Sequence, residues 1–302
     1  MRISRRAALI SLGGVGALLG VAGGGVAMVD AEVLPGRSAL NKAIGLCDAP
    51  VPRPSLRGTP QIPVVGSFRS ARRRRQVGYA ISYPPGYDEG AHLPVCLALH
   101  GYASDGRTAI EAGDYPQFIA GAVRDGAAPF ALAGVDGGDG YWHPHDNPHA
   151  PDDPLDMLVE EFLPLLANRG LDTNRVAVAG WSMGGYGALV CGLTWRTRFR
   201  LIVASSPAIF HSYADARRID PGAFGSLTEW NRYDLLARAE ELAGLPVQIA
   251  IGAADPFMPA VEVLQDRLPD PTIVETGIGC HDNTFWSYVA PTQVKAISQA
   301  LS

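Results

Sequence analysis

The chain has 302 residues, of which 47% are hydrophobic and 18% are charged, and its formal net charge is −5. The length suffices for one large domain with a substantial core, or for two small ones. The acidic balance argues against a nucleic-acid partner. Four cysteines are too few for a disulfide scaffold.

The N-terminus predicts an exported protein. Residues 1–6 are basic, and residues 7–29 follow without a charge and with seven glycines. The segment from Ser4 to Leu9 resembles a twin-arginine export signal. A cleavage site after Ala31 fits this pattern, with one after Ala27 as a second option. The uncharged run is also long enough for a membrane anchor, which takes about 20 residues, so cleavage and membrane association stay open.

We predict three regions: an export signal or anchor over residues 1–31, a Pro-rich connector over residues 32–63, and one large folded domain over residues 64–302. Cys47 lies in the connector. Cys96 and Cys191 lie in apolar runs and are interpreted as small buried hydrophobes. Cys280 is interpreted as a packing residue.

The domain alternates short apolar runs with segments of helical periodicity. Strands are predicted at residues 65–68, 77–83, 93–99, 129–135, 176–179, 201–206, 246–252 and 272–276. Helices are predicted at residues 108–122, 153–168 with a bend at Pro164, after residue 182, and at 228–243. Four arginines at residues 72–75 are typical of a solvated hairpin tip. The alternation predicts an α/β fold, with a mostly parallel central sheet and helices on both faces.

The loop over residues 136–153 is rich in metal-ligand side chains: His143, His145, His149, Asp146, Asp152 and Asp153. These residues lack helical ligand spacing, and two prolines interrupt them. We therefore expect no metal here and favour a loop at the C-terminal edge of the sheet that helps to wall a functional site. Tyr141 and Trp142 in this loop would offer apolar surface to a substrate.

The sequence Gly180-Trp181-Ser182-Met183-Gly184 lies where the strand at residues 176–179 gives way to a helix. In that context G-x-S-x-G is typical of a nucleophile elbow, a sharp turn that presents the serine hydroxyl at a helix N-terminus. The glycines have no Cβ to obstruct the turn. We predict that Ser182 is the nucleophile.

A serine nucleophile needs a histidine to accept its proton and a carboxylate to orient the histidine. Asp255 and His281 each follow a predicted strand, in the chain order serine, acid, histidine. Asp234 and Asp282 are the rival acids, but Asp234 falls inside a predicted helix and Asp282 adjoins the histidine. The other six histidines do not fit that order.

The motifs at residues 180–188, 252–257 and 279–286 together resemble the esterase D-type family of α/β-hydrolases, over roughly residues 64–302. That family includes S-formylglutathione hydrolases, feruloyl esterases and, more distantly, mycolyltransferases. The resemblance implies a serine esterase that needs no cofactor. It also implies an oxyanion hole formed by the backbone N–H groups of Tyr102 and Met183, with Gly101 allowing close approach.

The predicted activity is hydrolysis of a small-molecule, lipid or sugar ester through an acyl-enzyme on Ser182. The alternative is an acyltransferase that passes the acyl group to a sugar or lipid alcohol, and a non-catalytic envelope protein is a third hypothesis. The aromatic side chains near the motifs are candidates for an acyl or aryl pocket. They are Trp142, Trp181, Phe257 and Trp286.

Overall fold

An eight-stranded sheet has the strand order β1-β2-β4-β3-β5-β6-β7-β8. The computed structural model describes Cys47, residues 58–146 and residues 152–302. The predicted export signal, both cleavage sites, most of the predicted connector and His149 lie outside the described residues. The strands are β1 (Val64–Ser70), β2 (Arg75–Ser82), β3 (Pro94–Leu99), β4 (Ala131–Val135), β5 (Asp172–Trp181), β6 (Ile202–Ser205), β7 (Val247–Gly252) and β8 (Val274–Gly277).

The sheet is mixed but mostly parallel. β2 pairs antiparallel with β1 and with β4, and every neighbouring pair from β4 to β8 is parallel. Because parallel strands end at the same edge, the segments after β3, β5, β7 and β8 converge there. This confirms the predicted α/β class.

The helices are α1 (Gly106–Glu111), α2 (Tyr115–Arg124), α3 (Pro154–Met157), α4 (Leu163–Asn168), α5 (Met183–Thr194), α6 (Tyr213–Ile219), α7 (Leu227–Tyr233), α8 (Met258–Arg267) and α9 (Asn283–Leu301). A π-helical turn at Leu158–Phe162 joins α3 to α4, so the irregularity begins before Pro164. Short 3-10 turns lie at Ala112–Asp114, Ala239–Leu242 and Pro271–Ile273. Among the described residues no helix is both long and apolar enough to cross a membrane.

Two predicted helices are wrong in extent. The segment predicted at 108–122 divides into α1 and α2, because Gly113 and Asp114 have φ values of 64° and 57°. The segment predicted at 228–243 ends early, because Asp234 takes an extended conformation after α7. The last strand begins at Val274 instead of residue 272, which lies in a 3-10 turn.

Hydrophobic cores cover both faces of the sheet, as alternate residues of β3 illustrate. Val95, Leu97 and Leu99 belong to the core that includes residues of α3, α4, α5, α7 and α8, whereas Cys96 and Ala98 belong to the core that includes residues of α1, α2 and α9. A strand that is buried on both faces needs apolar side chains on both, and this explains the continuous apolar runs in the sequence. The prediction of helices on both faces is confirmed.

The arginine-rich hairpin tip is only partly solvated, which corrects the interpretation of residues 72–75. The side chain of Arg73 is 3% exposed, and its Nε and Nη2 donate to the Asp152 carboxylate at 2.7 and 2.9 Å. Its Nη1 donates to the Asp136 carbonyl at 2.5 Å. This guanidinium therefore ties the hairpin to the loop after β4.

Candidate active site

Ser182 lies at the turn between β5 and α5, with φ 57° and ψ −121°. This is an uncommon conformation for a residue with a Cβ, and such strain persists only where the surroundings hold it. The Ser182 N–H donates to the Ser205 carbonyl at 3.0 Å, and its carbonyl accepts from Tyr186 and Ala208. A Cβ on Gly184 would collide with the Leu99 carbonyl, so the elbow needs glycine there.

The structure brings Ser182, His281 and Asp255 together. Ser182 Oγ lies 2.8 Å from His281 Nε2, and His281 Nδ1 lies 2.8 Å from Asp255 Oδ2. Asp255 is 1% exposed and its Oδ1 accepts the Phe257 N–H, whereas the His281 side chain remains 16% exposed. A buried carboxylate thus orients an imidazole whose other nitrogen faces the hydroxyl.

The two loops that carry the acid and the histidine are joined through their backbones. Ala253 N–H donates to the Gly277 carbonyl at 2.8 Å, and Ala254 N–H donates to the Gly279 carbonyl at 3.0 Å. The two rival acids instead accept hydrogen bonds from backbone N–H groups. Asp234 accepts from residues 236 and 237, and Asp282 caps α9.

The two residues predicted to supply the oxyanion donors lie near Ser182. Met183 begins α5, and the first N–H groups of a helix have no intrahelical acceptor. Gly101 lies so close that a Cβ on it would be 3.5 Å from the Ser182 Cβ. Tyr102 follows directly and lines the same cavity as Ser182.

His100 is a residue whose role the sequence analysis missed, because it considered His100 only as a rival catalytic base. Gly137 N–H donates to His100 Nε2 at 2.8 Å, so Nε2 is the acceptor and the proton of a neutral ring lies on Nδ1. Nδ1 then donates to the Gly101 carbonyl at 2.7 Å. Burial lowers the pKa of His100, which keeps the ring neutral. The bond fixes the peptide plane that carries the Tyr102 N–H, because a peptide group is planar.

Trp142 does not line the catalytic cavity, which corrects its predicted role in the pocket. It is 0% exposed, and its indole N–H donates to the His100 carbonyl at 3.1 Å. A side chain on Gly137 or Gly187 would collide with the indole, so both glycines let the loop pack closely. Trp142 therefore supports the loop after β3 from its buried side. Tyr141 is also buried.

A cavity of about 560 Å³ opens at Ser182 and His281. Trp181 and Trp286 line it, together with the loop after β3 and residues of α1. Phe257 does not line this cavity, but its ring centroid lies 5.2 Å from that of His281. Two of the four predicted aromatic residues thus face the cavity.

A second cavity, of about 750 Å³, is polar and shares Tyr102 with the first. Its wall includes residues of the loop after β4. The described residues of that loop do not line the catalytic cavity, which corrects the prediction that the loop walls the site. His145 Nδ1 lies 2.9 Å from the buried Glu229 carboxylate, and His143 Nδ1 lies 3.6 Å from it. Among the described residues these three form the group that could hold a metal ion.

His143 has contacts of its own that hold the ring in place. The ring stacks on Phe224 and Tyr233, at centroid distances of 4.8 and 4.6 Å, and Nδ1 lies 3.1 Å from the Pro144 carbonyl. Burial lowers the pKa of His143 to about 3, so the ring is neutral at physiological pH. The cluster anchors the loop to α7 through Glu229.

Cys47 and Cys280 form a disulfide, which corrects the interpretation of Cys280 as a packing residue. The bond spans 233 residues of sequence, with the Cα atoms 5.2 Å apart. A spacing that long offers no local signal, so the sequence analysis could not find it. Cys96 and Cys191 are free and buried, as predicted.

Comparisons with known proteins identify an esterase family. Residues 70–274 match the model of a family described as "Putative esterase". The chain is 31% identical over 115 residues to S-formylglutathione hydrolase of Rattus norvegicus, covering 36% of this chain and 41% of that protein. It therefore spans about two fifths of the length of the curated relatives that it matches.

Two solved structures are similar along most of their length. An S-formylglutathione hydrolase from Agrobacterium tumefaciens has a TM-score of 0.63 at 19% identity, covering 81% of this chain and 99% of that one. A ferulic acid esterase from Anaeromyces mucronatus has a TM-score of 0.62 at 19% identity, covering 85% and 98%. At this identity the likeness establishes the α/β-hydrolase fold that the motifs imply.

Proposed function

The chain belongs to the esterase family that its residues 70–274 match, and we propose that it hydrolyses carboxylic esters through an acyl-enzyme on Ser182. The observation that carries the proposal is the hydrogen-bonded chain from Ser182 through His281 to Asp255, with both distances at 2.8 Å. This is the arrangement that activates a serine hydroxyl. The exposed edge of the imidazole opens on the 560 Å³ cavity, where an ester can approach.

The mechanism has two half-reactions. Ser182 Oγ attacks the ester carbonyl carbon while its proton passes to His281 Nε2, and Asp255 stabilises the resulting imidazolium. The tetrahedral intermediate collapses as the imidazolium gives the proton to the departing alkoxide, which leaves as an alcohol. Water then attacks the acyl-serine by the same proton route and releases the acid.

The backbone amides of Tyr102 and Met183 would bind the oxyanion of both tetrahedral intermediates. Each donor at such a site contributes about 3 kcal/mol to transition-state stabilisation. Met183 lies at the N-terminus of α5, where the helix dipole also favours negative charge. The Met183 donor belongs to buried backbone, and the bond from His100 to the Gly101 carbonyl fixes the peptide that carries the Tyr102 donor.

A hydrolysis panel tests the proposal. Nitrophenyl esters of graded acyl length, a feruloyl ester and S-formylglutathione are offered to the wild type and to Ser182→Ala. We expect turnover of at least one substrate, loss of that turnover in the variant, and labelling of Ser182 by a fluorophosphonate probe. An inert wild type that the probe does not label would contradict the proposal and favour a non-catalytic protein.

The same assay separates hydrolysis from acyl transfer. A sugar or long-chain alcohol is added at increasing concentration while both products are measured by mass spectrometry. Hydrolysis predicts an unchanged rate of acid release and no acylated alcohol. An acylated alcohol formed at the expense of the acid would make the protein an acyltransferase.

We also propose that the protein is exported. The basic start of the chain and its uncharged run support this, and so does the Cys47–Cys280 disulfide, since such bonds persist in oxidising compartments. Cell fractionation should find the protein outside the cytoplasm, and replacing Arg5 and Arg6 by lysine should retain it inside. The N-terminal sequence of the exported protein distinguishes a cleaved signal from a membrane anchor.

A further inference from the structure

We propose that the Cys47–Cys280 disulfide is a positioning device for His281, so that the enzyme is fully active only while this bond is intact. The inference rests on the proposed function, because it assigns catalysis to His281. Cys280 directly precedes the histidine, and its partner belongs to the segment before the catalytic domain. The bond therefore attaches the base of the reaction to a part of the chain that is remote in sequence.

The loop that carries His281 leaves the sheet at its edge. It follows β8, a strand of four residues that lies at the edge of the sheet and pairs only with β7. Ile278 in this loop is 58% exposed. Segments at a sheet edge with exposed backbone open at low free-energy cost. The histidine loop is thus a part of the site where an additional attachment has a large effect.

The hydrogen bonds that hold the backbone of this loop lie before and after the histidine. Before it, the carbonyls of Gly277 and Gly279 accept the two hydrogen bonds from the loop after β7. After it, Asp282 caps the first turn of α9 by accepting from residues 284 and 285. Cys280 lies between these anchors and is 4% exposed. A covalent bond at this residue restrains the backbone that sets the direction of the imidazole.

After Cys47, the chain contacts the domain at residues 58 and 61. A Cβ on Gly58 would collide with the backbone of α2 at Gly121, so the chain lies directly on that helix. Gln61 Nε2 donates to the carbonyls of Pro84 and Tyr87 at 2.7 and 3.0 Å. The disulfide therefore links the histidine loop covalently to the chain that precedes these contacts.

Small displacements of a catalytic base have large kinetic effects, because a misplacement of about 1 Å costs about a hundredfold in rate. Reduction by a dithiol breaks the S–S bond. The dithiol gives up two electrons and two protons, Cys47 and Cys280 become thiols, and the reagent becomes its cyclic disulfide. Cys96 and Cys191 are buried and already reduced, so the reagent changes this one bond.

The test compares the oxidised wild type, the dithiol-reduced wild type and Cys47→Ser, at a temperature where circular dichroism shows all three folded. Fluorophosphonate titration gives the concentration of reactive sites, and kcat is expressed per titrated site. We expect kcat and the rate constant of Ser182 labelling to fall together by ten- to a hundredfold, while KM changes less than threefold. The dithiol should have no further effect on Cys47→Ser.

A merely structural disulfide predicts a different result. The melting temperature would fall, but kcat per titrated site would be equal in all three forms, and this outcome would overturn the proposal. Mass spectrometry that finds both cysteines free in the oxidised active protein would overturn it as well. If Ser182→Ala keeps full activity, the proposed function itself fails, so the two failures are distinguishable.

Discussion

Replacing His100 tests whether a side chain outside the triad sets the oxyanion hole. Its two ring nitrogens have separate tasks: Nδ1 donates to the Gly101 carbonyl and Nε2 accepts from Gly137. Asparagine places an amide nitrogen near the position of Nδ1, whereas glutamine reaches towards Nε2. His100→Asn therefore keeps the bond to Gly101, and His100→Gln loses it.

The magnitude follows from the bond that is removed. A hydrogen bond of this kind contributes about 1 kcal/mol net, so its loss makes the oriented peptide about five- to tenfold less populated. Complete loss of one oxyanion donor costs about a hundred- to a thousandfold in kcat. We expect His100→Gln to fall between these limits, with kcat reduced by about ten- to a hundredfold and KM little changed. His100→Asn should retain more activity than His100→Gln.

Steady-state kinetics on the best nitrophenyl ester, corrected by active-site titration, measure this effect. An alkyl boronate that mimics the tetrahedral intermediate should bind His100→Gln more weakly by a factor similar to the loss in kcat, since both depend on the same donors. If His100→Gln keeps the wild-type kcat and boronate affinity, the Gly101–Tyr102 peptide is held by other contacts and the argument from His100 is refuted.

Three further outcomes are expected. Asp255→Asn should lower kcat by about ten-thousandfold with the fold intact by circular dichroism, because the amide no longer stabilises the imidazolium; near-normal turnover would exclude this carboxylate as the triad acid. Because the pKa of His143 is about 3 when folded and 6.5 in the unfolded chain, the unfolded state binds a proton first as the pH falls. Urea unfolding should therefore show the free energy of unfolding decreasing by about 1.4 kcal/mol per pH unit between pH 6 and 4. That part of the slope should vanish in His143→Asn and persist in the exposed control His211→Asn, and an equal slope in both variants would contradict the assignment. Gly184→Ala should yield little soluble protein, because a Cβ there meets the backbone of β3, whereas Gly222→Ala has room for its Cβ and should express normally; equal yields would show that the elbow tolerates a side chain.

The α/β class and the nucleophile turn could be predicted from the sequence because their signals are local. Strands buried on both faces require continuous apolar runs, and a strand-to-helix turn as sharp as that at Ser182 requires glycine two residues before and two residues after it. The acid and the histidine could also be predicted, for a related reason. Parallel strands end at one edge of a sheet, so Asp255 and His281 could be placed from the strands that precede them.

The tertiary structure alone decided which residues support those groups. The Gly137 N–H, 37 residues away, determines that His100 carries its proton on Nδ1. Trp142, which was predicted to line the pocket, is instead buried and supports the same loop. Cys47 meets Cys280 across 233 residues. Contacts of this kind arise when distant segments pack against each other, and no periodicity or motif in one segment records the identity of its partner.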